Sequence, residues 1–396
     1  MRRKITIDQL RPGMYVVSTN RSWISVPFFR KNIRDEKVIA ELRSYKVTDV
    51  IIDLDRGLDV GGHERAPAAP LVPGSPEAVQ RHFGQAVEVH SMVLEQTCEL
   101  MEEVSAGNAI TEEQANQQVS LLMDQIFEDP QSMLCVSVLR SSDQGIFNHC
   151  VNLSILALFV GKSMNLGKGE LLMLGKAALL HDIGKCMLPR ELVARYHATG
   201  RASDQYQLHV VRGLNYLQKM KGLDPMVAQF AGEHHERPDG RGYPHGLKGD
   251  DISWYGKLAA VLNAYDDGVN RGTGGEAIDP REVLDRMRQE VGARFDAKAF
   301  SALEKCLGPY PPGTSLMLDS GEMAIAYEPN AAQPEHPKVL LLTRPDGTFR
   351  EHPLPVPLGT SDCEDGLARG IVTSMTAADT NFNPIDFLAN YSSKRP

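Results

Sequence analysis

No apolar run in this 396-residue chain approaches the ~18 residues that would mark a bilayer-spanning helix. The longest, Leu153 to Val160, is short and sits inside an amphipathic pattern. The basic start Met1-Arg2-Arg3-Lys4 has no apolar segment behind it, so no secretory signal is expected and the cytoplasm is the default location. Cysteine is sparse: the six are scattered with no Cys-x-x-Cys, which excludes a zinc ribbon or a disulfide framework. Basic surplus is absent too. A net charge of -9 argues against wrapping long nucleic acid by bulk electrostatics, while a small phosphorylated ligand needs only a few local cations. There is no internal repeat, and Gly161 to Lys168 lacks the spacing and the hydroxyl residue of a phosphate-binding P-loop.

The remaining composition is ordinary for globular protein, with 42% hydrophobic and 23% charged residues. Residues 1–60 read as a small α/β domain: strands at Lys4 to Asp8 and Met14 to Ser18 around Arg11-Pro12-Gly13, a helix over Glu36 to Tyr45 and a β-rich run from Val47. Residues 61–76 read as a Gly/Pro/Ala linker. Apolar residues at three and four spacing make residues 77–309 a helical domain. Residues 310–396 read as a β-rich appendage, weakly structured from about Thr373 until Ile385. The fold class is therefore multidomain and mainly α.

Two strings carry chemistry. His181-Asp182-Ile183-Gly184-Lys185 is answered about fifty residues later by His234-His235-Glu236-Arg237-Pro238-Asp239-Gly240-Arg241-Gly242-Tyr243-Pro244. Imidazole and carboxylate are common ligands of divalent transition metals. Adjacent residues on one helix end diverge by ~100°, which suits a carboxylate that bridges two ions while its neighbouring His binds one. A hydroxide between two ions about 3.5–4 Å apart is a strong nucleophile toward phosphorus. His63, His82, His90, His197, His336 and His352 have no such partner pattern and read as ordinary histidines.

Both strings resemble the HD-GYP family, metal-dependent phosphohydrolases of the HD-domain class that hydrolyse cyclic di-GMP. The likeness covers roughly residues 130–300. Leu10 to Val16, Ser22-Trp23 and Val50 to Asp53 also resemble the small domain that precedes HD-GYP in one subgroup. The resemblance implies two divalent ions, Fe or Mn. His149 and His181 would bind the first, Asp182 would bridge, and His209, His234 and His235 would bind the second. Lys185 would contact the scissile phosphate, Gly242 and Tyr243 would line the guanine side, and Asp239, Gly240 and Pro244 would shape the loop. The family links the Gly-Tyr-Pro loop to contacts with GGDEF domains.

The pattern departs at three places. Tyr265 and Asp266 fix a register in which Asn263 stands where the family has the Asp that closes the first metal site. An amide is a neutral, weaker donor, so the first site is expected to be weak or vacant. Asp267 lies one turn further on the same face and reads as a solvated charge. The cation-bearing segment that usually follows is rewritten as Gly268 to Gly275, in which Arg271 supplies a cation only after a one-residue shift. Gly145 stands where some members bind a third metal, so two ions are the most expected. Two functions follow: a two-metal phosphodiesterase, or an impaired module that binds metal or nucleotide and signals through protein contacts.

Overall fold

The computed structural model describes residues 2–19, 31–33, 35–44, 47–53, 57–58, 74–139, 146–271, 278–360, 367–375 and 384–389. Ser22-Trp23, His63, Gly145, Cys363, most of the expected linker and Gly272 to Gly275 lie outside them. The chain divides into two compact units, Met1–Pro73 and Gly74–Pro396.

In the first unit, Arg2–Thr6 (β1), Tyr15–Thr19 (β2), Lys31–Asn32 (β3) and Asp49–Asp53 (β4) form an antiparallel sheet ordered β1-β4-β2-β3. Helix α1, Glu36–Ser44, buries Ile39 and Leu42 in the same core as Ile5, Val16, Val50 and Ile52. Gly13 turns the chain at a φ of 93°, a region that favours glycine.

The second unit is built on helices whose starts follow local chemistry. Ser75 caps Pro76–Ser105 (α2), and Thr111 with Gln114 forms a capping box on Glu112–Glu128 (α3). Asp129 caps Pro130–Leu139 (α4) by accepting from the Gln131 and Ser132 amides at 3.1 and 3.3 Å. Then come Ile146–Ser163 (α5), Lys168–Leu180 (α6), a 3-10 helix at Ile183–Met187, Arg190–Thr199 (α7) and Asp204–Leu217 (α8). Pro225–Glu233 (α9), Trp254–Arg271 (α10), Pro280–Gln289 (α11) and Ala297–Leu307 (α12) complete the helices. Asp-Pro steps at 224–225 and 279–280 start two of them, with Pro at a position where a lost amide N–H costs nothing.

Residues Asn148 through Gly161 of α5 are all buried. The Leu153–Val160 run therefore belongs to a central helix buried on every side rather than to a half-exposed amphipathic one. It packs against α2, α3, α4, α6, α10 and α12. None of the described helices is long and apolar enough to cross a membrane.

The C-terminal strands are Ser315–Leu318 (β5), Met323–Glu328 (β6), Lys338–Thr343 (β7), Phe349–Pro357 (β8) and Ile371–Met375 (β9), followed by Pro384–Ala389 (α13). They form one antiparallel sheet ordered β8-β7-β6-β5-β9. Regular structure thus continues through Thr373 to Met375, past the point where weak structure is expected. The sheet joins the helices rather than standing apart: the Tyr327 hydroxyl donates to Asp129 at 3.0 Å, and β8 packs on α2.

Candidate metal centre

Helix α6 ends at Leu180, and the chain turns through His181 and Asp182 into the 3-10 helix. Gly184 makes the turn possible: a Cβ there would lie 1.9 Å from the His209 carbonyl oxygen and 2.6 Å from the Gly213 nitrogen. Glycine lets this backbone lie against α8, and so brings Asp182 to His209.

Three imidazoles are held in one way. Nδ1 of His181, His209 and His234 donates to the carbonyl oxygen three residues earlier, of Ala178, Tyr206 and Ala231, each at 2.7 Å. A carbonyl only accepts, so the proton sits on Nδ1 and each Nε2 keeps its lone pair. Those three Nε2 atoms are buried without a hydrogen-bond partner, as is Oδ1 of Asp182. Such groups each cost about 1–3 kcal/mol unless something satisfies them. A cation does so, and the donor set of imidazole and carboxylate fits a divalent transition metal.

The four atoms converge. His209 and His234 Nε2 lie 3.4 and 3.6 Å from Asp182 Oδ1; His181 and His149 Nε2 lie 3.2 and 3.7 Å from Oδ2. Each oxygen of one carboxylate thus faces a different His pair, the arrangement of a bridging ligand. His235 joins the first pair, its ring 4.1 Å from that of His234. Two groups result, His209/His234/His235 and His149/His181/Asp182, each with its ligand atoms within 4.8 Å of one another.

His149 is held by side chains instead. Its Nδ1 donates to Asp266 Oδ2 at 2.5 Å, and its Nε2 lies 2.9 Å from Asn263 Oδ1. Asp266 also accepts from Asn270 Nδ2 at 2.6 Å, and Asn263 Nδ2 donates to Asp267 Oδ2 at 3.5 Å. Positions 263, 266, 267 and 270 share one face of α10, and that face is turned to His149.

Electrostatics favour the ligand states. Burial pushes the Asp182 carboxyl up, but His181, Lys185 and His209 outweigh it and hold it well below the usual carboxylate range. Burial pulls His209 down to about 4, and burial with neighbouring imidazoles pulls His234 and His235 well down. All three are neutral at pH 7, as metal ligation requires. Lys185 donates to Asp182 Oδ2, and its ammonium lies 5.9 and 5.7 Å from the ring centres of Tyr196 and Tyr206.

The second string forms a loop over this centre. Buried Glu236 accepts from the amides of His245 and Leu247 at 2.7 and 2.9 Å, and Asp239 takes both Arg237 and the Arg241 amide. A Cβ on Gly242 would lie 2.5 Å from the Arg237 nitrogen, so the backbones meet there. Tyr243 stacks on His235 with ring centres 4.5 Å apart.

The structure therefore gathers His149, His181, Asp182, Lys185, His209, His234, His235 and Asn263, with Gly242 and Tyr243 in the adjoining loop. Arg271 ends α10, and its side chain lies outside the described residues. Sequence reasoning passes over Asp266 as a partner of His149, although it stands three residues after Asn263 in the string that fixes the register. It also passes over Tyr196 and Tyr206, for which no sequence signal exists.

Residues 133–299 match the HD domain family, and residues 2–115 match a domain of unknown function. Over 98% of its length, and 95% of the other's, the chain is 27% identical to a cyclic di-GMP phosphodiesterase of Pseudomonas aeruginosa. A 3'3'-cGAMP-specific phosphodiesterase of Vibrio cholerae is 28% identical over 43% of this chain and 40% of its own. Among solved structures, an HDG"Y"P protein from Bdellovibrio bacteriovorus aligns with 78% of this chain and 99% of its own, at 17% identity and a TM-score of 0.45. With a helical core, two His/Asp strings folded into one buried cluster, the family match over residues 133–299 and the full-length likeness to a cyclic di-GMP phosphodiesterase, residues 133–299 are an HD domain, and its two strings resemble those of the HD-GYP branch.

Proposed function

We propose that this chain is a metal-dependent phosphodiesterase that opens cyclic di-GMP to the linear dinucleotide. The observation that carries the reading is Asp182, one oxygen turned to each His pair, among buried Nε2 atoms without donors. Relatives named as cyclic di-GMP and cGAMP phosphodiesterases support the substrate class. His149, His181, Asp182 and Asn263 would hold one ion, and Asp182, His209, His234 and His235 the other. Such a pair, when bound, supplies the Lewis acidity that phosphodiester cleavage needs.

The chain's own residues do the rest. Lys185 keeps one of its three N–H donors on Asp182 and offers the others to a phosphate oxygen, neutralising charge in a poorly solvated site. Its burial and its two flanking tyrosines restrict the ammonium to that region. Tyr243, fixed by its stack on His235, offers a flat wall for a purine.

The alternative, an impaired module that binds metal or nucleotide and signals through contacts such as those with GGDEF domains, draws on Asn263. Its neutral amide is buried at the position of a metal-binding carboxylate. One assay separates the two: hydrolysis of cyclic di-GMP, with 3'3'-cGAMP as competitor, by Mn- or Fe-loaded protein beside Asn263→Asp. Turnover by the unmodified chain is expected. No turnover there, with turnover gained in Asn263→Asp, establishes the impaired module instead.

A further inference from the structure

An asparagine in a metal site has an orientation problem that an aspartate lacks. A carboxylate presents oxygen whichever way it turns; an amide presents oxygen on one side and an NH2 on the other, and the NH2 does not bind a cation. Here Asn263 turns Oδ1 to His149 Nε2 at 2.9 Å and Nδ2 to Asp267 Oδ2 at 3.5 Å. Asp266 is not available for this task, since its oxygens take His149 and Asn270 at 2.5 and 2.6 Å. Asp267, one turn after Asn263, sits with its other oxygen 3.8 Å from His149 Nδ1 and its side chain 24% exposed.

We propose that Asp267 is a positioning residue for the first metal site: it accepts from the Asn263 amide, and so decides that oxygen rather than NH2 faces the ion. The inference rests on the two-metal reading above. A carboxylate only accepts, so the NH2 is drawn to Asp267 and Oδ1 is left on the opposite side. The same contact sets a negative charge beside a site whose own carboxylate has been replaced by an amide. Asn263 and Asp267 then act as one unit, a ligand and the residue that aims it.

The test counts ions rather than turnover. Mn²⁺ binding is measured by titration with electron paramagnetic resonance and by metal analysis. The proteins are the full-length chain, Asp267→Ala, Asp267→Asn, Asn263→Asp and the double variant Asn263→Asp/Asp267→Ala, with thermal melts confirming the fold. The unmodified chain is expected to bind two ions. Asp267→Ala is expected to weaken the first ion by about 10–100-fold, the usual effect of losing a residue that orients a ligand, and to leave the second unchanged. Asp267→Asn keeps an acceptor for the amide and falls between. In the Asn263→Asp background, Asp267→Ala is expected to cost nothing, because a carboxylate needs no aiming.

Three results overturn the proposal: two ions bound with unchanged affinity in Asp267→Ala, an equal loss in both backgrounds, or an empty first site beside a filled second one in the unmodified chain. Failure of the two-metal reading looks different. In that case the second ion is absent from every protein in the set.

Discussion

Replacing Asp266 gives a graded test of how the first half of the centre is built. Both of its oxygens are engaged, one by His149 Nδ1 at 2.5 Å and one by Asn270 Nδ2 at 2.6 Å. Asp266→Asn leaves one accepting oxygen. It keeps His149 only if the Asn270 amide turns over to accept from the new NH2. The hydrogen-bond geometry then survives and the charge is lost. A hydrogen bond to a charged group is worth about 1.5–3 kcal/mol and a neutral one about 0.5–1.5, so the expected loss is roughly 1–1.5 kcal/mol, about tenfold in first-site affinity. Asp266→Ala leaves the His149 N–H unsatisfied in a buried site and frees the ring to turn. The expected loss is then about a hundredfold, the upper end for removal of such a partner. Mn²⁺ titration that resolves the two ions reads both variants. The second ion, whose His209 and His234 are held by backbone carbonyls of their own helices, should bind as before. Equal weakening of both ions, or no weakening in Asp266→Ala, refutes the assignment of Asp266 as the residue that holds His149 for the first ion.

Acid should destabilise the metal-free protein in a defined window. His209 titrates at about 4 when folded and near 6.5 when unfolded, so between these values the unfolded chain binds more protons. Stability is then complete above about pH 6.5 and falls as the pH drops toward 4, by roughly 3 kcal/mol from this residue, with His234 and His235 acting in the same direction. Melts of chelator-treated protein at pH 7.5, 6 and 5 should show the slope, and His209→Asn should flatten it; a melting temperature constant across that range contradicts it. Gly184→Ala should disrupt the fold locally and cost more than about 3 kcal/mol, because its Cβ would meet backbone, which cannot rotate away. A near-normal melt with two bound ions would show that the 3-10 turn yields more easily than this packing implies.

What the sequence discloses depends on how local its cause is. Helix starts are legible where Ser75-Pro76, Asp224-Pro225 and Asp279-Pro280 satisfy backbone groups within a few residues. The clustered histidines are legible because they fall in strings, while His82 and His90 read as ordinary and lie against Asp129 at 3.0 Å and Asn152 at 2.8 Å. Strand β8 is hidden by Pro353, Pro355 and Pro357, which argue against a strand. It exists because it lies at the sheet edge, where an outward position needs no N–H donor. The burial of α5 on every side is equally hidden, since it depends on six helices, among them α10 and α12 far along the chain. Asp266 is visible as a letter in a string, but its role as partner of His149 requires two residues 117 positions apart to meet.

The two halves of the centre differ in what holds them. His181, His209 and His234 are fixed by their own helices: each Nδ1 bonds the carbonyl three residues back, so backbone geometry alone aims each Nε2. No single side-chain substitution removes those carbonyls. His149 has no such anchor and depends on side chains of α10, every one of which a single codon change can alter. Position 263 lies in that adjustable half. On the proposed two-metal reading, a change there is expected to alter the first ion's affinity while His209 and His234 keep their backbone anchors. On the proposed two-metal reading, the face of α10 formed by residues 263, 266, 267 and 270 is therefore the part of the centre where affinity would be set, and the backbone-anchored histidines are the part that would keep the site's geometry constant.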